Sequence, residues 1–138
     1  TGQPRNETNF IFSGHGFNHC DAPIHMNHDG KTIQEHPNEG LDIFINEANL
    51  IDMSEYELPF KVSKEIIESK IRNQDKKNLI ILRTDLTNKV GYESKEWHLK
   101  APSIELEAAN WIVENEFKSV CLDFPQEYYH TLYQTLAF

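Results

Sequence analysis

Cysteine occurs only twice in the 138 residues, at Cys20 and Cys121, too far apart for a CxxC pair and too few for a disulfide scaffold. Both are expected as reduced thiols. Basic residues are also scarce: thirteen Lys and Arg against twenty-two Asp and Glu leave a formal charge of −9. No broad cationic face is therefore available to neutralise phosphates, which argues against DNA, RNA and anionic membrane surfaces as partners. Apolar runs are short, none approaching the ~18 residues of a membrane span. The opening TGQPRNET carries no apolar core of a secretion signal, so a cytoplasmic location is expected. The chain starts at Thr1 rather than Met, which leaves room for an upstream segment. Glycine and proline number six each, too few for a low-complexity or disordered chain, and 38% hydrophobic residues suffice for one modest core.

What is present alternates between strand-like and helix-like periods without an internal repeat, which points to an α/β fold in a single domain over 1–138, with a mixed sheet and packed helices. NFIFSGH reads as a strand. Further strands are expected around Ile43 to Ile45 and Leu50 to Met53. Ser63 stands before KEIIESKIRNQ as a helix N-cap, with Ile66, Ile67 and Ile71 on one stripe. NLIILRT is nearly continuous in apolar residues, as in a strand covered on both faces. DLTNKVGYESKEWHLKAP is punctuated and polar, hence a loop. Ser103 or its neighbour opens a second helix, IELEAANWIVEN, with Ile104, Ala108, Trp111 and Ile112 on one side, and KSVCLDF follows as another buried strand. Strands ending near Thr84 and Asp123 would place polar residues at strand C-termini, where open α/β sheets build their sites.

The densest chemistry lies in HGFNHCDAPIH, where His15, His19, Asp21 and His25 follow H-x3-H-x-D-x3-H. Neutral imidazoles and a carboxylate suit Zn²⁺, Mn²⁺ or Fe²⁺. On an extended segment His19 and Asp21 point to the same side and could share an ion, whereas Cys20 points the other way and is expected in the core. Pro23 fixes its own backbone and biases Ala22 to extended geometry, which sets the direction of His25.

This segment resembles the signature of the metal-dependent cyclase family, which includes bacterial kynurenine formamidase and isatin hydrolase and is written H-x-G-T-H-x-D-x-P-x-H. His15, His19, Asp21, Pro23 and His25 are kept, while Phe17 and Asn18 stand where the pattern has Gly-Thr. HMNHDGKTI, NLIILRTDLT and APSIELEAANWIVENEFKSVCLDFP are similar to later stretches of the family. Relatives run longer at both ends, so the chain is expected to be a fragment, a trimmed chain or a reduced homologue. The resemblance implies a swivelling β/α/β arrangement, and a metal site of one or two Zn²⁺ or Mn²⁺ ions held by His15, His19 and Asp21. It makes His25 the acid–base residue, and His130 the candidate His for a second ion. It further implies hydrolysis of a small formamide, cyclic amide or related carbonyl compound, in a homodimer or higher oligomer whose pocket forms between subunits. The alternative is a non-catalytic metal- or ligand-binding relative, which the Phe17-Asn18 change favours.

The other polar and aromatic residues have simpler readings. His28, His36 and His98 are expected at the surface, with His28 near enough to line a pocket mouth. Trp97, Trp111 and the Phe and Tyr residues are expected mainly in the core, with Phe12, Phe17 or Trp97 as candidates for an aromatic substrate wall. Asp29-Gly30 is a turn signal. Arg83 and Asp123 are expected as structural ion-pair members, and Glu107 as a solvated charge. Asp29, Glu35, Glu39 and Asp42 against Lys31 make the stretch after the motif acidic, which favours a neutral or cationic substrate over a polyanion.

Overall fold

The structure, a computed structural model, describes residues 7–14, 16, 18–25, 27–35 and 43–125. A three-stranded sheet forms its centre, with β1 (Ala48–Asp52), β3 (Leu79–Arg83) and β5 (Ser119–Leu122) in the order β1-β3-β5. Both ladders are parallel, Ala48 standing opposite Leu79 and Leu79 opposite Ser119. A parallel pair needs a crossover, and the chain supplies helices: α1 (Lys64–Ile71) between β1 and β3, and α4 (Leu106–Glu114) between β3 and β5. A second parallel ladder joins β2 (Lys61–Val62) to β4 (Ser103–Ile104). The architecture is thus α/β with packed helices, as the periodicity indicated, but every described ladder is parallel where a mixed sheet was expected.

Strand alternation divides the sheet into two unlike faces. Asn49 and Ile51 lie in register with Ile80 and Leu82, and all four are buried. Ile51, Ile80 and Leu82 meet Ile67 of α1 and Ala108, Ala109 and Ile112 of α4 in the main core. Each fully buried Ile or Leu contributes roughly 1.5–3 kcal/mol from its apolar area. On the opposite face Leu50, Ile81 and Cys121 are in register, and Leu50 is 45% exposed. Asn49 is the polar member of the buried face. Its amide nitrogen donates to the Gln74 side chain and the Asp75 carbonyl, and its oxygen accepts from the Lys77 N–H at 2.8 Å. The side chain thereby fastens the turn between α1 and β3 without leaving a polar atom unsatisfied.

Helix α1 starts as expected, the Ser63 hydroxyl accepting from the Ile66 N–H at 3.4 Å. Other segments depart from the sequence reading. NFIFSGH contains no strand among its described residues; Phe10, Ile11 and Phe12 are 80%, 101% and 70% exposed, and the Gly16 N–H closes a turn on the Ser13 carbonyl. Apolar alternation makes a strand only where a neighbour completes the ladder. Ile43 to Ile45 form a turn, with the Ile43 carbonyl accepting from the Ser119 hydroxyl at 2.6 Å. The expected loop after β3 holds two short helices, α2 (Leu86–Val90) and α3 (Glu96–Leu99). Leu86 and Val90 are one turn apart and pack on the core, but five residues are too few for periodicity to show. Helix α4 begins at Leu106, three residues after Ser103, because Ser103 and Ile104 are taken by the ladder with β2. Strand β5 is half-buried at the described edge rather than enclosed. No helix among the described residues is long and apolar enough to cross a membrane.

Candidate metal and acid–base site

The motif segment runs without regular secondary structure through His19 to Ala22 and then tightens into a 3-10 turn at Pro23–His25. The two side chains expected together are in proximity, with His19 Nε2 3.7 Å from Asp21 Oδ1. Cys20 is exposed rather than part of the core, its thiol 3.9 Å from the Asp21 carbonyl oxygen. The segment lies at the surface, so neither side of it is packed into the core. Partial burial, followed by the nearby Asp21 and Cys121 charges, pushes the Cys20 thiol above its ordinary pKa. The influence of Cys121 places the segment near the half-covered face of β5.

His25 is held by backbone geometry. Its N–H donates to the Ala22 carbonyl at 2.9 Å, and the Ile24 N–H reaches forward to the Lys31 carbonyl. The chain doubles back at residues 27–30, where the Gly30 N–H donates to the Asn27 carbonyl at 2.7 Å. A Cβ at Gly30 would lie 2.6 Å from the Pro23 carbonyl carbon and 2.8 Å from the Ile24 nitrogen. Only glycine allows this approach, so Gly30 is a support of the His25 turn as well as the turn residue the sequence indicated. Beyond it, Glu35 accepts from the Thr32 N–H at 2.8 Å, and that bond lowers the carboxyl pKa.

A second polar cluster occupies the C-terminal ends of the strands. Arg83 donates to Asp52 at 2.8 Å and to Asp85 at 3.4 Å, which agrees with its ion-pair reading. Asp123 does something else: its carboxylate accepts from the Thr84 N–H and hydroxyl and from the Asp85 N–H, clamping the exit of β3 to the exit of β5. The residue so held, Asp85, has a left-handed backbone with φ of 62°. The Asp52 carboxyl is held below its ordinary pKa by hydrogen bonds from Ser54 and then by Arg83.

His15, Phe17, His36 and His130 lie outside the described residues. His28 is exposed on the 27–30 turn, and His98 and Glu107 are exposed as expected. Trp97 is half-buried in α3, its indole N–H donating to the Thr87 hydroxyl at 3.2 Å and its ring packing edge-on to Tyr92 and His98. Phe12 is exposed. Trp111 is half-buried, tilted against Phe117. The clamp of Asp123 and the close approach at Gly30 are the two supports that sequence reasoning missed. Only the positions of Thr84 and Asp123 at neighbouring strand ends hinted at the first.

Among the described residues no three His, Cys, Asp or Glu side chains converge as a complete metal-binding group. The His19–Asp21 pair nevertheless fits a divalent ion: donors each ~2.1 Å from one ion lie at most ~4.2 Å apart, and 3.7 Å falls within that limit. A family model described as Putative cyclase matches residues 2–126, a span that includes the whole motif and every described strand. No curated protein and no solved structure matches the chain.

Proposed function

The chain belongs to the Putative cyclase family, and on that premise we propose that it is a metal-dependent hydrolase of a small formamide, cyclic amide or related carbonyl compound. The observation that carries this reading is the His19–Asp21 pair at 3.7 Å, immediately before the turn that holds His25. His15, His19 and Asp21 would hold one Zn²⁺ or Mn²⁺, and His130 is the candidate His for a second. The ion supplies Lewis acidity, which brings the pKa of water toward neutrality and polarises a carbonyl. His25 takes a proton from the attacking water and delivers one to the leaving nitrogen. Its exposure at the surface leaves the imidazole accessible to a substrate, and the Gly30 approach fixes the turn that carries it. Asp29 and Glu35 beside this turn favour a neutral or cationic substrate over a polyanion. The parallel β1-β3-β5 sheet with its helical crossovers supports the swivelling β/α/β arrangement.

A second reading, a non-catalytic metal- or ligand-binding relative, draws on Phe17-Asn18 standing where the family pattern has Gly-Thr. Metal content and turnover separate the two. Untreated protein should hold about one or more divalent ions per chain, and combined His19→Ala and Asp21→Ala should abolish binding. His25→Ala should keep the ion and lose turnover of N-formyl aromatic amines or lactams by roughly 10²–10⁴-fold. Full metal retention by the double variant refutes the ligand assignment, and metal-loaded protein without turnover of the panel favours the binding relative.

A further inference from the structure

An open cleft of about 410 Å³ lies between the loop leaving β1 and helix α2, lined by none of the described motif residues. Ser54, Tyr56 and Leu58 form its wall on the loop side, and Lys89 and Val90 on the helix side, with Lys100 at its border. It is shallow and mostly open to solvent. Its location is also informative: β1 and β3 are adjacent parallel strands, and the cleft sits beyond their C-terminal ends, where open α/β sheets bind ligands.

The wall is fixed before any ligand arrives. The Tyr56 ring stacks on Phe60 with centroids 5.2 Å apart, and the Lys70 ammonium lies 5.8 Å from its centroid on a side chain tied to Glu55. The Tyr56 carbonyl accepts from Lys89 Nζ at 2.9 Å. That hydrogen bond anchors Lys89 without neutralising it, and among the described residues no carboxylate pairs with it. Lys89 is exposed, so its charge is available to a ligand from solvent. Lys100, by contrast, is paired with Glu96 at 2.7 Å.

We propose that this cleft binds a small carboxylate with a flat apolar body, Lys89 receiving the carboxylate while Tyr56, Leu58 and Val90 contact the body. Lys89 has hydrogen-bonding capacity left, since an ammonium carries three donors and one is engaged. Glu55 and Glu57 also line the cleft; Glu55 is tied to Lys70, and Glu57, exposed, opposes the anion through water and limits affinity. The inference does not depend on the hydrolase reading.

Benzoate titrated into the full chain, followed by calorimetry or amide chemical shifts, tests it. Saturable binding is expected, with isosteric neutral benzamide and cationic benzylamine binding more weakly. Lys89→Met should weaken benzoate roughly tenfold, the worth of a hydrogen bond to a charged group. Lys89→Arg should retain binding, and Glu57→Gln should tighten it. Asp21→Ala should leave it unchanged, which separates this cleft from the metal motif. Absence of saturable binding at millimolar benzoate, equal binding of benzamide, indifference to Lys89→Met, or loss in Asp21→Ala would each overturn the proposal.

Discussion

Asp123 and Thr84 are joined three times over: the Thr84 N–H lies 2.9 Å from both carboxylate oxygens of Asp123, and the Thr84 hydroxyl donates to one of them at 2.7 Å. Thr84 is fully buried, so its donors have no access to water if the carboxylate is removed. Asp123→Ala should therefore cost about 1–3 kcal/mol for the stranded polar groups. Asp123→Asn, which keeps one acceptor oxygen, should cost less. Urea denaturation of the two variants gives the order; equal stability to the parent would show that the clamp contributes nothing net.

Gly30→Ala tests whether a backbone contact supports the imidazole of His25. The added methyl collides with backbone atoms of Pro23 and Ile24 rather than with a flexible side chain, so the turn itself must move. Circular dichroism should stay near the parent's while turnover falls, and unchanged kinetics would show that the turn adjusts without disturbing His25.

The pH dependence follows from three groups in one neighbourhood. Asp52 is lowered from 3.8 by Ser54 and then Arg83, Glu55 is lowered from 4.5 chiefly by Lys70, and Lys70 is raised from 10.5 chiefly by Glu55. A depressed carboxylate contributes stability that is complete above its unfolded value and disappears as pH falls through the folded one. A raised ammonium contributes below its unfolded value and loses that contribution as pH rises through the folded one. Stability should thus decline below pH 3.8–4.5 and again above pH 10.5. Lys70→Met should remove the alkaline decline and reduce the acid one; identical profiles for parent and variant would contradict the assignment. All three groups lie at the surface, so the changes are expected to be small.

Self-association is the fourth expectation. Phe10, Ile11 and Phe12 are exposed together, and such a run in water favours association with a second copy. Light scattering at micromolar concentration should give at least twice the monomer mass, and replacing all three with Ser should return it to the monomer. A monomeric parent with activity intact would refute the expectation.

The sequence revealed the elements whose burial is periodic. Ile67 in α1 and the Ile80–Leu82 run in β3 face the same core, and their spacing shows it directly. It also brought His19 and Asp21 together, since they stand only two positions apart. What it concealed depends on partners distant along the chain. Ser103 and Ile104 become strand only because Lys61 and Val62 lie beside them, and Phe10 to Phe12, apolar in sequence, carry no strand. Asp123 reads as an ion-pair member until Thr84 is seen 39 residues away in sequence. Gly30 reads as an ordinary turn glycine until the Pro23 backbone appears against it.

The strand order β1-β3-β5 follows the order in which the chain is made, and this bears on how the domain assembles. Among the described residues, each new strand of this sheet joins the flank of the one before it, and none has to insert between two already paired. Ala48 meets Leu79 across 31 residues and Leu79 meets Ser119 across 40, so the two closures carry nearly the same entropic cost. The β1-α1-β3 unit can therefore form while the rest of the chain is still being synthesised, with Ile80 and Leu82 already covered by Ile67 when α4 and β5 arrive. A nascent chain halted after β3 should then protect its β3 amides from hydrogen exchange.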